Sequence, residues 1–66
     1  MKNRIRVARA EVRMTQQQLA EAVGVSHQTV NAIESGKFVP STLLALKIAR
    51  LFGKSVEELF SLDEEE

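Results

Sequence analysis

Apolar residues recur along this chain at helical spacing, in short segments that polar residues or glycines interrupt. Ile5, Ala8 and Val12 are separated by three and four positions. This spacing predicts a first helix over about residues 3–12. No segment alternates between polar and apolar residues with a period of two, so strands are not expected. The pattern as a whole predicts an all-α fold, a compact five-helix bundle.

Capping residues mark where the next two helices begin and end. Thr15 can cap the second helix, and Gln18 can close a capping box with it. Gly24 ends that helix, in a left-handed conformation. Ser26 is the next cap, only two residues later, and Gly36 closes the third helix.

The same signals recur in the second half of the chain. Pro40 disfavours helical geometry before it, so Ser41 or Thr42 caps a fourth helix that ends at Gly53. The segment 55–58 forms a capping box for a short fifth helix. The residues predicted to face inward from the fourth helix are Leu44, Ile48, Leu51 and Phe52. The fifth helix carries Leu59 and Phe60.

Length and composition bound the remaining classes of protein. Sixty-six residues predict one domain, which we place at residues 1–62, followed by an acidic tail at 63–66 that has nothing to bury and is expected to be disordered. There is no cysteine, one histidine and no phosphate loop, so neither catalytic activity nor a metal or cofactor is expected. No apolar run reaches the roughly 20 residues that span a bilayer, and a cytoplasmic protein is expected.

Charge is unevenly distributed although the net charge is zero. Residues 1–40 carry six Lys or Arg and three Glu, whereas residues 41–66 carry three Lys or Arg and six Asp or Glu. A basic first part and an acidic second part of the chain favour the binding of a polyanion to one face of the domain. An ordinary solvated surface explains the same numbers.

The region from residue 15 to 36 has the pattern of a helix-turn-helix. Gly24 permits a short turn, Val25 fills it with an apolar side chain, and Ser26 starts the next helix at once. Ala20 is small, as close approach of two helices requires. The residues left on the outer face of the second of these helices are His27, Gln28, Asn31 and Ala32, with Thr29 at its edge.

Here the chain resembles the Cro and phage-repressor class of helix-turn-helix proteins, the XRE family. The similarity extends over about residues 3–62. It is carried by residues 15–20 (TQQQLA), 24–26 (GVS), 28–30 (QTV), 33–37 (IESGK), 40–41 (PS) and 45–49 (ALKIA). The resemblance implies a lambda-repressor-like fold and binding of double-stranded DNA by a transcriptional regulator, whose third helix enters the major groove.

Residue roles follow from the outer face of the third helix. Gln28 can pair bidentately with adenine, and His27 can donate to guanine or to a phosphate. Ala32 can contact a thymine methyl, and Asn31 can reach a base or the backbone. The residues expected to contact the DNA backbone are Gln16, Gln17, Ser26, Thr29, Lys37 and Ser41, and the resemblance implies that Gln16 also contacts His27.

Two further expectations concern the scaffold. The resemblance implies a structural ion pair between Arg9 and Glu34. Many relatives have glycine where this chain has Arg13, so either the first helix ends differently here or Arg13 adopts a positive φ.

A homodimer is expected, because one domain makes few phosphate contacts. The apolar residues that exceed the needs of a short fifth helix predict its interface at Val56, Leu59, Phe60 and Leu62; completion of the protomer core is the other explanation. Repression requires only binding and is the favoured outcome. The alternatives are an antitoxin-type regulator that binds a partner protein through its C-terminal part, and a protein-interaction or RNA-associated module that has lost the DNA-binding face.

Overall fold

Five helices and two short strands make up the computed structural model, which describes residues 1–66. In chain order the elements are β1 (Lys2–Asn3), α1 (Ile5–Glu11), α2 (Gln16–Val23), α3 (His27–Glu34), α4 (Thr42–Phe52), α5 (Val56–Leu59) and β2 (Phe60–Ser61). The predicted five helices are confirmed, whereas the description of the fold as all-α is corrected by the strand pair. None of the helices has the length and apolar character needed to cross a bilayer.

The two strands join the beginning of the chain to its end. They run antiparallel, with Lys2 opposite Ser61 and Asn3 opposite Phe60. The Arg4 N–H donates to the carbonyl of Leu59 at 2.8 Å and extends the pairing. Strands of two residues are too short to produce an alternating pattern, so the sequence carried no signal for them. As a consequence, α1 begins two residues later than predicted.

The predicted caps determine where the helices start. The hydroxyl of Thr15 accepts from the Gln18 N–H at 3.0 Å, and the Gln18 side chain accepts from the Thr15 N–H at 2.9 Å. Ser26 and Ser41 each accept from the N–H three residues further on. Ser55 heads a second capping box at α5. Each cap satisfies an N–H group that the helix itself cannot, which stabilises the helix by about 1 kcal/mol.

A core of 12 buried apolar residues holds the helices together. Leu19 of α2 and Val30 of α3 are 0 % and 1 % exposed, so these two helices are locked to each other and to the bundle. Leu51 was predicted to face inward and does not, since it is 41 % exposed. Val12, the last residue of the apolar spacing that predicts α1, is 57 % exposed. Val12 follows the last turn of α1, and the buried stripe of α4 runs through Ala45, Ile48 and Ala49 instead.

Helices α1 and α3 end in the same hydrogen-bonded turn with different residues at its left-handed position. After α3, Gly36 has a φ of +80°, and the Lys37 N–H donates to the carbonyl of Ala32 at 2.9 Å. After α1, Arg13 has a φ of +54°, and the Met14 N–H donates to the carbonyl of Arg9 at 2.9 Å. Both are Schellman turns. The positive φ of Arg13 is one of the two outcomes expected from the missing glycine, and it costs about 1 kcal/mol or more.

The acidic tail meets the start of the chain in this structure. The amino group of Met1 lies 2.9 Å from a carboxylate oxygen of Asp63 and 3.5 Å from one of Glu66. These groups are largely solvated, so the ion pairs stabilise the fold little. The disorder expected for residues 63–66 stays a prediction.

Candidate nucleic-acid interface

The outer face of α3 carries the residues predicted to contact bases. His27, Gln28 and Asn31 are exposed, and Ala32 is partly exposed. Apolar side chains hold the opposite face of the helix in the core. The structure therefore presents the predicted base-contacting residues as one surface, on a helix that the scaffold fixes in place. That any of them contacts a base stays a prediction.

Unpaired main-chain N–H groups lie at the start of α2, beside this surface. The first two N–H groups of the helix, those of Gln16 and Gln17, have no acceptor in the protein, because the cap at Thr15 satisfies only the third. The positive end of the helix dipole is at the same place. Such a helix start attracts a phosphate. Gln17 is exposed there, as its predicted role requires.

The side chain of Gln16 connects α2 to α3. Its oxygen, Oε1, lies 2.8 Å from Nε2 of His27. Its nitrogen, Nε2, donates to Oε1 of Glu34 at 3.0 Å and to Oδ1 of Asn31 at 3.3 Å. Both N–H bonds of the amide are thus used within the protein. Its main-chain N–H, by contrast, has no acceptor in the protein. The contact to the DNA backbone predicted for this residue stays a prediction.

Arg9 and Glu34, expected as an ion pair, lie together beneath this surface. Nε and Nη2 of Arg9 donate to the two carboxylate oxygens at 2.6 and 3.0 Å, and Nη1 donates to the carbonyl of Met14 at 2.9 Å. The Glu34 side chain has no exposed surface, and that of Arg9 is 14 % exposed. Arg6, 74 % exposed, lies 3.6 Å from the same carboxylate. This pair ties α1 to α3 in a fixed geometry.

The environment of Glu34 determines its charge. Burial raises the pKa of Glu34, but the hydrogen bonds from Arg9 and Gln16 and the nearby guanidinium charges outweigh burial and hold the pKa below its ordinary value. The hydrogen bonds to Glu34 also raise the pKa of Arg9. The pair is therefore charged, and Gln16 meets a carboxylate rather than a carboxylic acid.

The remaining predicted backbone contacts border the surface. The Ser26 hydroxyl accepts from the N–H of Thr29 at 3.1 Å and lies 2.9 Å from its hydroxyl, so both groups belong to the helix cap. Ser41 caps α4 in the same way at 3.2 Å. Lys37 is exposed directly after the end of α3. Of these, only Lys37 offers a charge to a phosphate.

The predicted dimer interface needs correction. Leu59 and Phe60 are 1 % and 7 % exposed, because they complete the core of the protomer, and they offer no surface to a second copy. Val56 is partly buried against the same core. Only Leu62 is well exposed, at 69 %. The explanation that these residues complete the core is the correct one for Leu59 and Phe60.

One structural contact to α3 was not found by sequence reasoning. The side-chain amide of Asn3 donates to the carbonyl of Ile33 at 2.8 Å and supports the last turn of α3. Its oxygen accepts from the Ile5 N–H at 3.2 Å, so the same side chain caps the start of α1. No local pattern reports such a contact, because its partners are 30 residues apart.

Comparison with known proteins places this geometry in a family. A family model described as Helix-turn-helix matches residues 5–59. The uncharacterized HTH-type transcriptional regulator YgzD of Bacillus subtilis is 51 % identical over 65 residues, which is 98 % of both chains. An uncharacterized HTH-type transcriptional regulator of Methanocaldococcus jannaschii is 47 % identical over 66 residues, the whole of both chains. A crystal structure of a candidate DNA-binding protein from Bacteroides fragilis superposes with a TM-score of 0.79 at 36 % identity, covering 88 % of this chain and 94 % of that one. The chain belongs to the XRE-type helix-turn-helix family.

Proposed function

We propose that this chain is a transcriptional regulator that binds double-stranded DNA sequence-specifically as a homodimer, with α3 in the major groove of a palindromic operator, and that it acts as a repressor. One observation carries the proposal: a rigidly held helix presents an exposed polar face next to the unpaired N–H groups at the start of α2. Membership of the family and the names of the relatives support the same function.

Base reading falls to the exposed side chains of α3. The amide of Gln28 has no partner within the protein, so it is free to pair with N6 and N7 of an adenine. Ala32 presents a methyl group one turn further on, suited to contact with a thymine methyl. Asn31 keeps its amino group available, since only its oxygen is used, by Gln16.

Phosphate contacts fix the position of α3 in the groove without reading sequence. The N–H groups of residues 16 and 17 hold one phosphate at the start of α2, with the Gln17 side chain beside it. Lys37 contacts the backbone at the other end of α3. Ser26, Thr29 and Ser41 add hydroxyl contacts at the helix starts. The uneven charge along the sequence does not add a separate DNA-facing half, because the fold pairs the first residues of the chain with its acidic end.

The homodimer is supported by apolar side chains that the protomer leaves exposed. Leu43 and Leu46, three residues apart on α4, are 65 % and 54 % exposed, and Val39 just before the helix is 57 % exposed. Neighbouring exposed leucines on one helix indicate a contact surface rather than scattered exposure. A second copy is the fitting occupant, because a palindromic operator requires two identical domains whose recognition helices are about 34 Å apart.

Selection of bound sequences from random duplexes at moderate salt tests the DNA-binding proposal. We expect an enriched palindrome with half-sites one helical turn apart. If no sequence is enriched, the proposal is wrong.

Sedimentation velocity tests the dimer separately. We expect Leu46→Lys to shift the protein to monomer, because it places a charge in the interface. Val12→Lys, at an equally exposed apolar position beyond α1, is the control and should leave the association unchanged. Equal association of both variants and the parent would contradict the α4 surface.

A further inference from the structure

The hydrogen bonds around Gln16 determine which of its amide atoms faces His27. Its nitrogen lies between two acceptors, the Glu34 carboxylate at 3.0 Å and Oδ1 of Asn31 at 3.3 Å. The Glu34 carboxylate is itself held in place by the two bonds from Arg9. If the amide were turned over, its oxygen would face a carboxylate oxygen, which is repulsive. The network therefore directs Oε1 of Gln16 at His27.

An amide oxygen can only accept a hydrogen bond, so the 2.8 Å contact requires Nε2 of His27 to donate. A neutral imidazole carries one N–H, and its other nitrogen is then an acceptor. Nδ1 is that other nitrogen, and the hydrogen bond of the ring within the protein is made by Nε2 and not by Nδ1. His27 is exposed at the first position of α3, the end of the helix that enters the major groove in the proposed complex.

We propose that Gln16 is a positioning residue that fixes the neutral ring of His27 as the Nε2–H tautomer, so that Nδ1 accepts a hydrogen bond from the exocyclic amino group of a base. This inference rests on the proposed function, which brings α3 into the major groove. On the strand that His27 faces, adenine N6 and cytosine N4 are the donors, whereas guanine and thymine present carbonyl oxygens there. The donation to guanine expected from sequence is replaced by acceptance from an amino base.

Selection from random duplexes tests the inference with three variants. His27→Ala identifies the operator position that this side chain reads, because preference disappears there. At that position the parent should favour adenine or cytosine by about threefold to tenfold, the contribution of one hydrogen bond. The selected base pair shows whether adenine or cytosine is the donor to Nδ1 of His27.

Gln16→Lys should reverse the preference at that position to guanine or thymine. A lysine ammonium has donors but no acceptor, so it would donate to Nε2 of His27 and leave the proton on Nδ1. Ala22→Lys is the matched control, since it adds the same charge at an exposed position of α2 that has no bond to His27. It should keep the parent's preference. Each base pair offers one amino group and one carbonyl oxygen in the major groove, so the comparison of the two proteins is decisive. A Gln16→Lys variant that keeps the parent's base pair in the same orientation would overturn the inference.

Long-range ¹H–¹⁵N spectra of the imidazole in the DNA-free protein give an independent result. We expect the Nε2–H tautomer in the parent and in Ala22→Lys, and the Nδ1–H tautomer in Gln16→Lys. An Nδ1–H tautomer in the parent would overturn the inference even if Gln16→Lys did not fold. The parent protein could show the expected tautomer and still enrich no DNA sequence. That result would contradict the proposed function, and the base contact with it.

Discussion

Glu34→Gln is the substitution that most directly tests how α1, α2 and α3 are held together. It keeps the shape of the side chain and removes its charge. In the protein the carboxylate accepts from Arg9 at 2.6 and 3.0 Å and from Gln16 at 3.0 Å, with no exposed side-chain surface. A glutamine can accept through one oxygen only, and its NH2 group would face a donor. The substitution therefore leaves the Arg9 guanidinium without a counter-charge.

The expected loss follows from the burial of the pair. Removal of one partner from a buried ion pair costs about 3–5 kcal/mol. Arg9 is 14 % exposed and keeps its bond to the Met14 carbonyl, so the lower end, about 3 kcal/mol, applies here. A domain of this size has a total stability of about 3–10 kcal/mol. The variant should therefore melt about 12–24 °C below the parent.

Urea denaturation followed by far-UV circular dichroism measures this loss. Glu57→Gln is the matched control, because it removes the same charge from an exposed position on α5 and should change the free energy of unfolding by less than about 0.5 kcal/mol. If Glu34→Gln unfolded at the same urea concentration as Glu57→Gln, the pair would not hold the helices as argued.

Three further outcomes are expected. Arg13→Gly should raise the free energy of unfolding by about 1 kcal/mol in urea titrations, because φ is +54° there; a loss of stability would contradict the strain at this turn. The pKa of Glu34 in the folded protein lies below its ordinary value of 4.5. The ionised carboxylate therefore stabilises the fold fully above about pH 4.5, and this stabilisation is lost as the pH falls through the lower pKa of the folded state. Thermal melts from about pH 5 to about pH 3 should therefore show a larger loss for the parent than for Glu34→Gln, and parallel curves would contradict this. Lys37→Gln should make the plot of log K against log salt less steep, by about 0.9 per subunit and hence about 1.8 for the dimer, without changing the preferred sequence, whereas Lys54→Gln should leave the slope unchanged. An unaltered slope for Lys37→Gln would contradict its phosphate contact.

The local features of the fold were predictable from the sequence. The capping boxes at residues 15–18 and 55–58 and the left-handed Gly24 are encoded by residues within a few positions of one another, and the structure has them where predicted. The helix-turn-helix follows from these signals together with the apolar residues between them. The side chains left outside that apolar stripe then had to form the outer face of α3.

Long-range features were not predictable by the same means. The strand pair joins residues at opposite ends of the chain and is too short to leave a pattern. Leu59 and Phe60 were assigned to an interface because they exceed the apolar residues that a short fifth helix was expected to bury. In the structure, the pairing of Phe60 with Asn3 brings that segment into the core. The use of both Gln16 donors inside the protein depends on where Glu34 and Asn31 lie, which only the folded structure shows.

The most direct test of the central claim compares the affinity of the parent and of Gln28→Ala for a selected operator and for a scrambled duplex, at one salt concentration. The parent should bind the operator at least about 10³-fold more tightly than the scrambled duplex. Gln28→Ala should lose about 1–3 kcal/mol of this discrimination for each half-site and bind the scrambled duplex as the parent does, because its side chain reads a base and not a phosphate. Equal affinity of the parent for both duplexes would contradict sequence reading by α3.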